Sequence, residues 1–243
     1  FKEDKNFRNF RKIPFSFNEK IHNTLLRNIE KFPFVPSNIL QRNLHCEEIV
    51  SIQSSGLAKR LKNTGIEKVV LGLSGGLDST LALMVCMETF QKMKMDPKNI
   101  NVINMPGFGT TNRTKNNSKI LSEKLKITYH QISILESVLL HFKDIGHDPS
   151  ITNTTYENAQ ARERTQILMD FSNKINGLVV GTGDLSEIAL GWCTYNADQM
   201  SMYNVNCSVP KTLVRYLIEW FADHRFTGQI SEILKDICDT PIS

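Results

Sequence analysis

The chain has 243 residues and a net charge of +4, with 29 basic and 25 acidic residues spread along it rather than gathered in blocks. That balance offers no basic stripe to nucleic acid, and no apolar run is long enough to span a bilayer, so neither partner is expected. Cys46, Cys86, Cys193, Cys207 and Cys238 form no C-x-x-C pair, which argues against a zinc site or disulfide framework and predicts reduced thiols in the cytoplasm.

Residues 1–36, rich in Phe, Asn, Lys and Pro, read as an irregular linker. The first residue is Phe rather than Met, and with the "DTPIS" end this suggests a piece of a longer polypeptide. Further on, Ile49, Ile52, Leu57 and Leu61 recur at helical spacing and predict a helix that stops at Gly65. Four short aliphatic runs follow: "KVVLGL" (68–73), "INVINM" (100–105), "KITYHQI" (126–132) and "GLVVGT" (177–182). The stretches between them are long enough for helices. "STLALMVCMETFQKM" opens on a Ser/Thr cap, and "TYENAQARERTQILMDFSNK" opens with Thr155 three residues before Asn158. Alternation of this kind predicts βαβ units and a mainly parallel sheet. Ligands in such sheets lie beyond the carboxyl ends of the strands.

The loop after the first run is S-G-G-L-D-S, Ser74 to Ser79. Glycines let the backbone turn and a ligand approach, while hydroxyls and the N–H groups of the following helix converge on an anion. The loop lacks the lysine of G-x-x-x-x-G-K-[ST] and the spacing of G-x-G-x-x-G. Asp78 would repel a phosphate unless a divalent metal lay between them, so a metal-bound polyphosphate is expected. An ordinary turn of good cap residues would account for S-G-G alone. Asn158 and Arg162 share one helical face and can reach one ligand, although a solvated face reads the same way. Thr182 ends a strand, Glu187 follows on a short helix as a second carboxylate for the metal, and Lys211 opens a helix where a cation does not help the dipole. Met200 and Met202 read as packing residues. Trp192 and Tyr195 could be core or a flat wall for a ring.

These motifs resemble a known family. S-G-G-L-D-S is similar to the pyrophosphate (PP) loop of the N-type ATP pyrophosphatases. "PGFGTTNRTKNNS" (106–118), "TYENAQARERTQILMDFSN" (155–173) and "GLVVGTGDLSEIALGWCTYNADQMSMYNVNCSVPKTLVRYL" (177–217) resemble the synthetase domain of glutamine-dependent NAD synthetases, over about Phe34 to Phe221. The resemblance implies an α/β fold, a Rossmann-like parallel sheet flanked by helices of the adenine nucleotide alpha hydrolase type. It implies a ligase: ATP adenylates the nicotinate carboxylate of deamido-NAD, magnesium pyrophosphate leaves, and ammonia displaces AMP to give NAD. Carried over by position, ATP would meet Gly72, Leu73, Ser74, Gly75, Gly76, Leu77, Asp78, Ser79, Thr182 and Lys211. Asp78 and Glu187 would ligate Mg²⁺, with Asp78 and Lys211 as the catalytic pair. Deamido-NAD would meet Asn158, Arg162, Glu187, Trp192 and Tyr195.

Members of this type carry an N-terminal glutaminase domain that supplies the ammonia, so residues 1–36 would be its exit linker and 37–243 the synthetase domain, its C-terminal part incomplete. A homodimer or higher oligomer is also implied. Two other readings remain: a PP-loop enzyme that amidates or thiolates a different acceptor, and a module that senses ATP without turnover.

Overall fold

The computed structural model describes residues 13–16, 27, 29–108 and 112–239, with the side chains of 112–115 outside that description. The chain divides into two compact units, Phe1–Lys31 and Phe32–Ser243. All helices and strands among the described residues lie in the second, and most of the expected 1–36 linker falls outside the description.

The second unit runs α1 (Ile39–Thr64), β1 (Lys68–Gly72), α2 (Leu77–Met93), β2 (Ile100–Asn104), α3 (Asn112–Leu125), β3 (Thr128–Gln131), α4 (Leu135–Ile145), α5 (Thr154–Ile175), β4 (Gly177–Gly181), α6 (Leu185–Leu190), β5 (Tyr203–Asn204), α7 (Lys211–His224) and α8 (Gln229–Cys238). Its strands form one parallel sheet in the order β3-β2-β1-β4-β5. This is the expected α/β architecture. From β1 the chain moves one way through β2 to β3, then returns to place β4 on the other side of β1. The reversal between β1 and β4 is the crevice where open α/β sheets bind ligands.

Both faces of the sheet are covered, which is why its strands read as continuous apolar runs rather than alternating ones. Val69 and Leu71 of β1 join Ile100, Val102, Leu178 and Val180 under α1, α2, α7 and α8. Val70 and Ile103 point the other way, to Val138 and Phe142 of α4 and Ala159 of α5. Each such aliphatic side chain contributes about 1.5–3 kcal/mol on burial.

Three local expectations are corrected. The buried stripe of α1 is Cys46, Val50, Leu57 and Leu61, and Ile52 is exposed. Ile52 lies two residues beyond Val50, about 200° around a helix of 3.6 residues per turn. The cap of α2 is Gly76, not a Ser or Thr. Ser79 and Thr80 sit in the first turn and donate back to the Gly76 carbonyl at 3.2 and 2.8 Å. The cap of α5 is Asn153, whose side chain accepts from the Thr155 and Tyr156 N–H groups at 3.0 and 3.2 Å, so Thr155 lies inside the helix. β5 had no sequence signal, because two residues make no apolar run.

All five cysteines are free. Burial pushes the Cys86 thiol up to about 12 and the Cys46 thiol to about 11, so neither is a nucleophile at neutral pH. No helix among the described residues is long and apolar enough to cross a membrane.

Candidate active site

The turn from β1 into α2 is built as an anion cradle. Gly75 takes φ 84°, a left-handed value that glycine adopts at no cost. The Ser74 hydroxyl accepts from the Gly76 N–H at 3.2 Å and lies 3.0 Å from the Ser79 hydroxyl. Because Gly76 offers no side-chain cap, the first-turn N–H groups of α2 are left for a ligand, at the positive end of a 17-residue helix. Asn104 at the end of β2 donates to the Leu73 carbonyl at 2.9 Å and fixes the approach to this turn.

Asp78 does not lie in a loop, contrary to what its place in S-G-G-L-D-S suggested. It lies in the first turn of α2, and its Oδ1 is buried without a hydrogen-bond partner. Across the crevice, α6 opens with a capping box. Asp184 accepts from the Glu187 N–H at 2.9 Å, and Glu187 Oε2 accepts from the Asp184 N–H at 3.1 Å. The Lys211 ammonium reaches into the space between, 2.8 Å from Asp78 Oδ2, 2.7 Å from Asp184 Oδ2 and 3.1 Å from Glu187 Oε1. Its backbone N–H is held by the Ser186 hydroxyl at 3.1 Å.

Burial pushes the Asp78 carboxyl above its usual range, and the Lys211 ammonium only partly offsets this. For Lys211, burial alone would lower the pKa. The Asp184 and Asp78 carboxylates outweigh that and raise it, so the ammonium stays charged.

Asp78, Asp184 and Glu187 offer oxygens within 4.8 Å of one another. Three carboxylates against one ammonium leave two excess negative charges, and Asp78 Oδ1 is an orphaned buried acceptor. An all-oxygen donor set with that charge fits a hard divalent cation such as Mg²⁺.

Asp184 and Asn206 carried no signal that spacing alone could have raised. Asn206 is fully buried and donates to the Asp78 and Thr182 carbonyls at 2.9 and 3.1 Å, stitching the end of β4 to the start of α2. Gln53 of α1 supports it, donating to Asn206 Oδ1 at 3.3 Å and to the Val205 carbonyl at 2.8 Å. Asn206→Ala should therefore cost about 1–3 kcal/mol by stranding two buried carbonyls, a loss read directly as a lower urea midpoint. An unchanged midpoint would mean that water replaces the amide.

A second group lies on α5. The Asn158 side chain accepts from the Thr194 hydroxyl at 2.8 Å, and the Arg162 side chain donates to the Tyr195 carbonyl at 3.4 Å. The same segment is tied to α6 by the Trp192 N–H donating to the Glu187 carbonyl at 2.9 Å. Trp192 and Tyr195 are 80% and 81% exposed, which excludes the core reading for both. Met202 packs against the core, while Met200 is exposed. Gln160 and Arg164, unnoticed in the sequence, hold the segment after β2: Gln160 accepts from the Phe108 N–H at 3.3 Å and Arg164 donates to the Met105 carbonyl at 3.4 Å. Residues 109–111 of the "PGFGTTNRTKNNS" motif lie outside the described residues.

Comparison with known proteins places these features in one group. Residues 49–233 match the NAD synthase family. The glutamine-dependent NAD(+) synthetase of Mycobacterium leprae is 43% identical over 241 residues, 96% of this chain and 35% of the relative. The NH(3)-dependent NAD(+) synthetase of Fusobacterium nucleatum is 34% identical over 179 residues, 72% of this chain and 66% of that protein. Among solved structures, a glutamine-dependent NAD+ synthetase from Acinetobacter baumannii in complex with ADP aligns with a TM-score of 0.73 at 25% identity, over 82% of this chain and 36% of that one. The chain thus spans about a third of the length of the glutamine-dependent relatives it matches. The family match runs from within α1 into α8 and takes in both the S-G-G-L-D-S turn and the carboxylate cluster, and the chain belongs to the NAD synthase family.

Proposed function

We propose that the chain catalyses the ATP-dependent amidation of deamido-NAD to NAD, with ammonia as the nitrogen donor. The observation that carries this reading is the meeting of Lys211, Asp78, Asp184 and Glu187 at the mouth of the S-G-G-L-D-S turn. The names of the family's members supply the product, NAD(+), and the motif resemblance supplies deamido-NAD as the acceptor.

The nicotinate carboxylate attacks the α-phosphorus of ATP, the α–β phosphoanhydride bond breaks, and pyrophosphate leaves. Ammonia then attacks the acyl carbon, AMP departs, and the amine gives up a proton as the amide forms. The N–H groups at the start of α2 and the hydroxyls of Ser74 and Ser79 bind the β- and γ-phosphates. They therefore stabilise the leaving group rather than presenting a γ-phosphoryl for transfer. Thr182, at the end of β4, flanks the same turn. Lys211 meets the charge that develops on the bridging oxygen as it departs. Asp78 and Glu187 would hold Mg²⁺, which when bound neutralises the pyrophosphate. The protein's share is positioning and charge, with no covalent step on its own side chains.

Asn158, Arg162 and Glu187 line the route to deamido-NAD. Exposed Leu190, Trp192 and Tyr195 support a homodimer or higher oligomer in which a second copy completes the substrate wall. Residues 37–243 act as the synthetase part, and a glutaminase domain supplies ammonia to it. Five unpaired thiols agree with a cytoplasmic setting.

Adenylation can be isolated from amidation. With ammonia withheld, the protein should exchange labelled pyrophosphate into ATP only when deamido-NAD is present. Exchange without deamido-NAD, or none with it, would contradict the reading. Asn158→Ala should raise the KM for deamido-NAD about tenfold, the effect of losing one hydrogen bond of ~1.4 kcal/mol, while leaving the KM for ATP in place. Steady-state kinetics with each substrate varied separate the two.

A further inference from the structure

We infer that Lys211 is the resident counter-cation of the carboxylate cluster and trades places with the divalent ion, so that metal entry and delivery of the ammonium to the phosphates are one event. This rests on the ATP and metal reading proposed above.

The ammonium sits where one oxygen from each of Asp78, Asp184 and Glu187 converges, at 2.7–3.1 Å. A magnesium ion held by Asp78 and Glu187 would draw on the carboxylates that now face the ammonium, so the two cations would compete for them. The three carboxylates are not equivalent. Asp78 and Glu187 are 26% and 30% exposed and face the crevice, whereas Asp184 is fully buried. Its Oδ1 is spent on the Glu187 N–H, so Asp184 is the fixed post to which the lysine returns. The backbone of Lys211 is pinned to Ser186. Its four-carbon stem alone can carry the charge from cluster to phosphate.

Without nucleotide, the ammonium shields the cluster and competes with free metal, which displaces it only at high concentration. A metal–nucleotide complex brings both the ion for the carboxylates and the phosphates for the displaced ammonium. Asp184 is accordingly a positioning residue, acting through Lys211.

Manganese binding followed by electron paramagnetic resonance tests the exchange. In the absence of nucleotide, Lys211→Met should bind Mn²⁺ at least tenfold more tightly than wild type. Equal or weaker binding overturns the exchange. If Asp78→Asn leaves Mn²⁺ binding unchanged in the presence of a non-hydrolysable ATP analogue, the metal reading itself fails and the exchange falls with it. Wild-type protein gives a readout that needs no foldable variant. Saturating Mg²⁺ without nucleotide should speed acylation of Lys211, followed by peptide mass spectrometry, at least threefold, and an unchanged rate overturns the exchange. Asp184→Asn keeps the cap to Glu187 but loosens the post, and should speed the same labelling without any metal. Labelling no faster than wild type overturns the role of Asp184.

Discussion

Lys211→Met should lower turnover roughly 10²–10³-fold at saturating ATP, the usual cost of removing one preorganised donor from a developing negative charge. Methionine keeps the length and apolar stem and removes only the ammonium. The loss should fall on kcat, because the first-turn N–H groups of α2 still bind the phosphates of the ground state. Lys211→Arg should not rescue it. A planar fork cannot converge on three carboxylate oxygens at 2.7–3.1 Å as a compact ammonium does. Wild-type turnover in either variant would remove Lys211 from the chemistry.

Asp78→Asn should also cost roughly 10²–10³-fold in kcat, since it takes one charge from a cluster expected to hold the metal and each tenfold corresponds to ~1.4 kcal/mol. The fold should tolerate it. Asp78 is already penalised by burial, Lys211 keeps Asp184 and Glu187 as partners, and the helix-dipole contribution of a first-turn carboxylate is only about 0.3–1 kcal/mol. Thermal unfolding midpoints of variant and wild type should therefore agree closely while turnover differs. A variant that unfolds early would assign Asp78 a structural role instead.

Much of the architecture was legible because it follows from periodicity. Apolar runs of six or seven residues at βαβ spacing gave four of the five strands and the parallel sheet, and a Gly-rich stretch marked the turn from β1 into α2. β5 was not legible, since Tyr203–Asn204 has neither length nor apolar character. Capping was misread at Ser79 and Thr155, because several adjacent residues could cap and only the backbone path decides between Gly76 and Ser79, or Asn153 and Thr155.

At the site, Asp78, Glu187 and Lys211 were picked out in the sequence, and the structure brings the three side chains together. Lys211 was a cation at a helix start, where the dipole disfavours it, and the structure supplies the compensation in three carboxylates. Asp184 was missed because an aspartate three residues before a glutamate at a helix start is adequately explained as a capping box. Its second role as anchor for Lys211 exists only once α7 is folded back across α6. Asn206 was invisible for a similar reason: its partners are the carbonyls of Asp78 and Thr182, 128 and 24 residues away in sequence.

Adenylyl transfer to deamido-NAD fixes the product stoichiometry of the reaction. Incubated with ATP, Mg²⁺, deamido-NAD and an ammonium salt, the protein should form AMP and NAD in equal amounts, with one pyrophosphate per turnover. Formation of ADP, or of AMP with no matching NAD, would contradict it.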